Sequence, residues 1–139
     1  DTLVEAGGEA CRVSCVGVGG AHCVQFRSPD GVDLGELGMR CRSSSFFFGG
    51  EGLTLAEVCA EKRLRARVWR YGMGEVPACS ECAGAAVTAA VLTDRVRRGA
   101  DIVVEMPGGE LTVRYDGRAL FVTGEAVRVF SGEITIGDA

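Results

Sequence analysis

The residues best suited to chemistry are Cys79 and Cys82, in the stretch GEVPACSECAGAAVTAAVL (74–92). Pro77 closes an extended lead-in, the two thiols follow, and then small and apolar residues run on with almost no polar face. The pattern predicts a helix over about 80–97 with Cys79 at its mouth. Unsatisfied N–H groups and the positive end of the dipole stabilise an anion there. A thiol in that position gains thiolate character near neutral pH. The amides of Ser80, Glu81 and Cys82 would form a cradle for a carboxylate or phosphate. One device would thus supply both an acid/base and an anchor for an acid.

Other readings of Cys79-x-x-Cys82 stand beside this one. A zinc site would draw its second ligand pair from Cys11-x3-Cys15 with His22, but those residues lie in a strand-like run with no knuckle turn. A thioredoxin-like redox pair wants the C-x-x-C after the first strand of a βαβ unit, and the strands here read as antiparallel. Inert core thiols are the third alternative. Cys11, Cys15, Cys23 and Cys59 also sit in apolar runs, where free cysteine behaves as a small hydrophobe. The lone histidine, His22 in GGAHCV (19–24), enters a strand from a turn and is open to a structural or a catalytic role.

These groups need elements to hold them. A helix apolar on every side must be enclosed by protein, and the available walls are strands. ACRVSCVGV (10–18) and HCVQFR (22–27) read as strands around a GGA turn, and 31–40 has room for one or two helical turns. Residues 41–52 read as a loop whose Phe46, Phe47 and Phe48 plug the core. LTLAEVCA (53–60) and RLRARVWRYG (63–72) read as paired strands. In the second, Leu64, Ala66 and Val68 alternate with Arg63, Arg65 and Arg67, the period of a half-buried strand with a solvated arginine face. After the helix, whose last turn would carry Arg95, Arg97 and Arg98 before a stop at Gly99, come strands at 101–107, 110–117 and 119–136. The fold class expected is α+β: one domain, 1–139, in which a curved, mostly antiparallel half-barrel wraps one central helix.

Composition narrows the partners. The 139 residues suit one domain, with 47% apolar and 24% charged residues. A net charge of −4 offers no basic surface for nucleic acid or acidic membranes. The longest apolar run, 83–92, falls far short of the roughly 20 residues that span a bilayer, and the first residues show no signal-peptide pattern. Seven cysteines, an odd number in a chain of this length, argue against a secreted disulfide scaffold and for a reduced, cytoplasmic setting.

From about residue 12 to 134 the chain resembles the C-terminal lobe of diaminopimelate epimerase. That family is akin to proline racemase and to the phenazine-pathway isomerases. The resemblance rests on GGAHCV (19–24) for the family's Gly-Asn-Pro-His-x-Val, and on VWRYGMGEVPACSECAGAAV (68–87) for its Glu-Arg-Gly-x-Gly-Glu-Thr-x-Ala-Cys-Gly-Thr-Gly segment. MPGGELTV (106–113) and FVTGEAVRVFSGEI (121–134) match its closing strands. It implies a two-lobed fold, each lobe a curved sheet around a central helix. It also implies cofactor-independent, pyridoxal-phosphate-free epimerisation, racemisation or a related isomerisation of a small amino or carboxylic acid. A thiolate would remove a proton at the carbon beside the carboxyl group, and a thiol of the other lobe would return one.

By position the resemblance makes Cys79 this lobe's acid/base, His22 its active-site histidine, and Ser80, Glu81 and Cys82 its cradle. The sequence departs from the family at several of these places. Gly20 and Gly52 stand where it has substrate-binding asparagines. Arg70-Tyr71 stands for its Glu-Arg pair, and Ser-Glu-Cys replaces its Gly-Thr-Gly. Those losses point to a substrate other than diaminopimelate. With no partner thiol of its own, the lobe would need a homodimeric mate, a split subunit or the complementary lobe. The competing expectation is a degenerate lobe kept as a binding or structural partner.

Overall fold

Alternation of side chains gives the strands of this protein two faces: one wraps a helix along its length, and part of the other lies beneath a second helix. The structure, a computed structural model, describes residues 2–6, 9–42 and 50–137. The strands are β1 (Thr2–Ala6), β2 (Glu9–Val18), β3 (Gly20–Phe26), β4 (Gly50–Ala60), β5 (Arg63–Arg70), β6 (Gly74–Val76), β7 (Ile102–Met106), β8 (Gly109–Tyr115) and β9 (Leu120–Thr123). Two helices, α1 (Leu34–Arg42) and α2 (Ser80–Leu92), interrupt them. Among the described residues the strands form one sheet in the order β1-β2-β3-β4-β5-β7-β8-β9, with β6 beside β5. Neighbours are antiparallel except β3 with β4 and β5 with β7. The parallel pairs are those separated in sequence by α1 and by α2, because such a crossover is what a parallel connection needs.

The expected half-barrel around an apolar helix is what the chain forms. Every residue from Cys82 to Val91 is buried, and α2 packs against β2, β3, β4, β5, β8 and β9. Val24, Ala56, Leu64, Ala66, Val68, Ile102, Val104 and Val113 line the wall facing it. Small side chains allow the close approach. A Cβ on Gly84 would come within 2.7 Å of the Leu120 side chain and 3.4 Å of Val18. The opposite face of the sheet holds a second core of Val4, Val13, Cys23, Leu34, Cys41, Leu53, Leu55 and Trp69 beneath α1. There a Cβ on Gly38 would fall inside the Trp69 indole. Gly38→Ala should therefore lower unfolding free energy by about 1–3 kcal/mol through overpacking, read from a urea titration; unchanged stability would show that α1 is not seated on Trp69.

Two expectations need correction. The helix ends at Leu92, not near 97. Asp94 takes φ +56°, its N–H donates to Val91 O at 3.2 Å, and Arg95 N–H donates to Ala90 O at 2.8 Å. This is a Schellman stop with aspartate in the left-handed position usually given to glycine. The arginine stripe expected on the outer face pairs there with carboxylates: Arg63 with Glu105 and Glu110, Arg65 with Asp30 and Glu57, and Arg67 with Glu75. Arg67 also donates to the carbonyls of Pro29 and Val32 at 2.8 and 3.0 Å, tying down the approach to α1. Finally, the strand expected over 119–136 stops at Thr123. Beyond it, Val127, Val129, Phe130, Ile134 and Ile136 are 79–88% exposed. The three phenylalanines of 46–48 lie outside the described residues. No helix among the described residues is long and apolar enough to cross a membrane.

Candidate active site

Cys79 caps α2. Its backbone is extended, at φ −158° and ψ 114°, as an N-cap residue requires. Its sulfur accepts the Cys82 N–H at 3.2 Å, and its carbonyl accepts the Ala83 N–H at 2.9 Å. The lead-in is clamped from outside: Gly108 N–H donates to Pro77 O at 2.7 Å. A Cβ on Gly108 would press on Pro77 O at 3.0 Å and Ala78 Cβ at 3.1 Å. The PGG turn between β7 and β8 thus fixes where the helix begins, a positioning role that the motif alone did not disclose.

The setting makes Cys79 acidic. Its pKa is lowered from 9.0 to about 6, chiefly by the hydrogen bond from the Cys82 thiol, against the opposing effect of burial. The Cys82 N–H, Arg70 and His22 lower it further. Cys82 moves the other way, its ionisation opposed first by the Cys79 sulfur and then by burial. The pair therefore holds one thiolate, on the half-exposed member, and one thiol inside.

His22 stands behind this pair. It is 2% exposed, and its Nε2 lies 2.9 Å from Val18 O. Since a carbonyl only accepts, Nε2 carries the proton. Its Nδ1 faces Cys82 Sγ at 3.8 Å. His22 thus reaches Cys79 through Cys82.

Strand register sets the remaining residues. Gly52 of β4 pairs with His22 of β3 on one side and Arg70 of β5 on the other. Arg70 follows the parity of Leu64, Ala66 and Val68, the side that faces α2, and its guanidinium lies 3.6 Å from the Glu81 carboxylate. Tyr71 turns the other way, with its ring 3.2 Å beneath the Arg42 guanidinium. Adjacent residues at a strand end point to opposite faces, so Arg70 joins the site and Tyr71 does not. Gly52 offers no side chain, and a Cβ there would meet Trp69 O at 2.6 Å. Gly20 begins β3 beside Gly19. It is Gly19, at φ +69°, that borders the Glu81 carboxylate, 2.9 Å from where its Cβ would be. The double glycine was the signal that backbone must pass close here. Cys79, Ser80, Glu81, Cys82, His22, Gly52 and Arg70 therefore come together at one end of the half-barrel. Among the described residues no cluster of histidine, cysteine and carboxylate groups could hold a metal ion.

Comparison with known proteins agrees with this architecture. The family model described as diaminopimelate epimerase matches residues 14–129. The diaminopimelate epimerase of Thermosynechococcus vestitus is 36% identical over 140 residues, covering 96% of this chain and 49% of that protein. That of Synechococcus elongatus is 38% identical over 136 residues, covering 96% and 48%. The chloroplastic diaminopimelate epimerase of Oryza sativa is 34% identical over 134 residues, covering 90% and 37%. The chain thus spans half or less of the length of these relatives. Among solved structures, a phenazine biosynthesis protein of the PhzF family from Bacillus anthracis superposes with a TM-score of 0.53 at 13% identity. It covers 81% of this chain and 38% of that one, a likeness of fold.

Proposed function

The chain belongs to the diaminopimelate epimerase family, and on that premise we propose that it serves a cofactor-independent isomerase in which Cys79 transfers a proton at a carbon beside a carboxyl or carbonyl group. The observation that carries this is the Cys79 sulfur at the mouth of α2, 3.2 Å from the Cys82 N–H and acidic enough, at about 6, to be thiolate at pH 7. The thiolate takes the proton, the C–H electron pair moves into the adjoining carboxyl group, and the amides of Ser80 and Glu81 with the Arg70 guanidinium lie nearest to the charge that develops. Return of the proton from the Cys79 thiol completes a one-base shift. A two-base inversion takes a second thiol from the complementary lobe, or from a second copy across a two-fold axis. His22 acts as a positioning residue through Cys82.

Glu81 bears on the substrate. A carboxylate at the helix mouth disfavours a bare acid and welcomes an ammonium group, and the Arg70 guanidinium beside it would answer the substrate carboxylate. A small amino acid answers both demands. Gly20 and Gly52 bring no side chain and Tyr71 faces elsewhere, which favours an amino acid other than diaminopimelate. The setting proposed is the cytoplasm, where thiols stay reduced. Proton exchange into small amino acids in deuterated water, followed by NMR with the intact protein, tests this. Exchange at the carbon next to the carboxyl group is the expected result. Exchange confined to diaminopimelate would overturn the substrate reading alone.

The Arg70–Glu81 pair also favours a second reading, a degenerate lobe that binds a partner, since it fills the cradle from within. Absence of exchange with every amino acid, together with slow alkylation of Cys79 near pH 7, would select it. Both readings require the exposed apolar segment after Thr123 to be covered. Light scattering should therefore give this chain, on its own, a mass at least twice 14.6 kDa; a stable monomer at micromolar concentration would contradict the need for a partner surface.

A further inference from the structure

The seven cysteines include a second pair, on the other face of the sheet from Cys79 and Cys82. Cys15 of β2 stands directly opposite Cys23 of β3 in an antiparallel ladder, and their sulfurs are 3.6 Å apart. Opposed residues in such a ladder have Cα atoms about 4.5–5.5 Å apart, inside the roughly 4.4–6.8 Å that a disulfide spans. Bond formation needs the sulfurs to close from 3.6 Å to about 2.05 Å. The two thiols are unequal. Cys15 is exposed whereas Cys23 is 3% exposed, within the core beneath α1 that includes Cys41, with Cys11 packed against it.

We propose that Cys15 and Cys23 form a redox-active dithiol, with Cys15 as the attacking and Cys23 as the resolving thiol, closed to a disulfide by a low-molecular-weight disulfide. Cys15 thiolate attacks one sulfur of that reagent, forming a mixed disulfide and expelling one thiolate. Cys23 then attacks the Cys15 sulfur, the mixed bond breaks, and the second reagent thiol leaves with the Cys23 proton. Two electrons pass from the protein to the reagent. The electrostatics suit these roles. Cys15 is lowered from 9.0 to about 7, first by the hydrogen bond from Cys23, and that same bond, followed by burial, opposes ionisation of Cys23. Burial, then Cys11, pushes Cys41 up to about 11, which keeps the third thiol quiet. The product would staple the β2–β3 hairpin, whose Val18 and His22 stand behind the candidate site. The dithiol itself is independent of the proton-transfer reading.

Glutathione disulfide is the probe. The intact protein is treated at pH 7, quenched in acid, and its disulfides are mapped by peptide mass spectrometry. The expected first product is Cys15–Cys23, reversed by dithiothreitol. Cys15→Ser should lose it, and Cys23→Ser should stall as a Cys15–glutathione adduct. Should Cys23→Ser fail to fold, the unaltered protein gives a second readout. Cys15 should take up iodoacetamide several-fold faster than Cys59, which is also exposed and directs its thiol at Glu57 O, 3.7 Å away. Oxidation that joins Cys79 to Cys82 while leaving Cys15 and Cys23 reduced, or equal labelling of Cys15 and Cys59, would overturn the proposal.

Discussion

Cys79→Ala should slow proton exchange by about 10²–10⁴-fold, the range that a positioned acid/base supplies, while the protein stays folded. The separation is possible because of where the sulfur sits. Cys79 is half-buried at an N-cap, so alanine forfeits one weak acceptor, a loss of about 1 kcal/mol, and opens no cavity in the core. Cys79→Ser sharpens the test, since its hydroxyl still accepts the Cys82 N–H but ionises far too weakly to serve as a base at pH 7. Serine should therefore restore the cap and not the activity. Exchange surviving in both variants above one tenth of the original rate would move the acid/base elsewhere.

The second large effect concerns the helix itself. Ala83→Asp, Ala85→Asp and Ala86→Asp should each prevent folding. An ordinary amphipathic helix has a wet face, and one of three such neighbouring positions would tolerate a charge. Here all three alanines are 0% exposed and the wall runs round the helix. A buried unpaired carboxylate costs several kcal/mol, comparable with the whole stability of a domain this size, about 5–15 kcal/mol. Circular dichroism and expression in soluble form would check this. A well-folded variant at any of the three positions would mean that α2 has an open side.

How much of this was legible follows from which forces are local. The start of α2 could be read because Pro77, a capping sulfur and an apolar run act within a few residues. Its end could not, because Asp94 adopts a backbone conformation for which glycine is the usual signal. Strand-like apolar runs at 10–18 and 53–60, and the alternation within 63–72, marked the central strands. They could not show that β3 pairs in parallel with β4, or β5 with β7, since pairing is decided by distant chain. β6, with three residues, is too short to carry a period, and β1 gave no reading at all. The strand reading of 119–136 held only to Thr123, because a strand needs a neighbour as well as suitable residues. In the site, Cys79 was visible from helix physics. The pairing of His22 with Cys82, 60 residues apart, and the turning away of Tyr71 depended on register. Two of the thiols expected to be inert core residues, Cys15 and Cys59, are exposed: Cys59 lies at the end of β4, and Cys15 shares the face of Val13 and Cys23 but stands outside the core they join.

The central claim is an acidic thiol held at a helix mouth by its neighbour, and the pH dependence of Cys79 alkylation tests it most directly. The rate constant for iodoacetamide, read by mass spectrometry at that one residue, should follow thiolate: half-maximal near pH 6, the value to which Cys79 is lowered, and level above about pH 7. Cys82→Ala removes the thiol that contributes most to that lowering and should move the midpoint upward. A rate that keeps climbing through pH 8 to 9, unchanged by Cys82→Ala, would contradict the account.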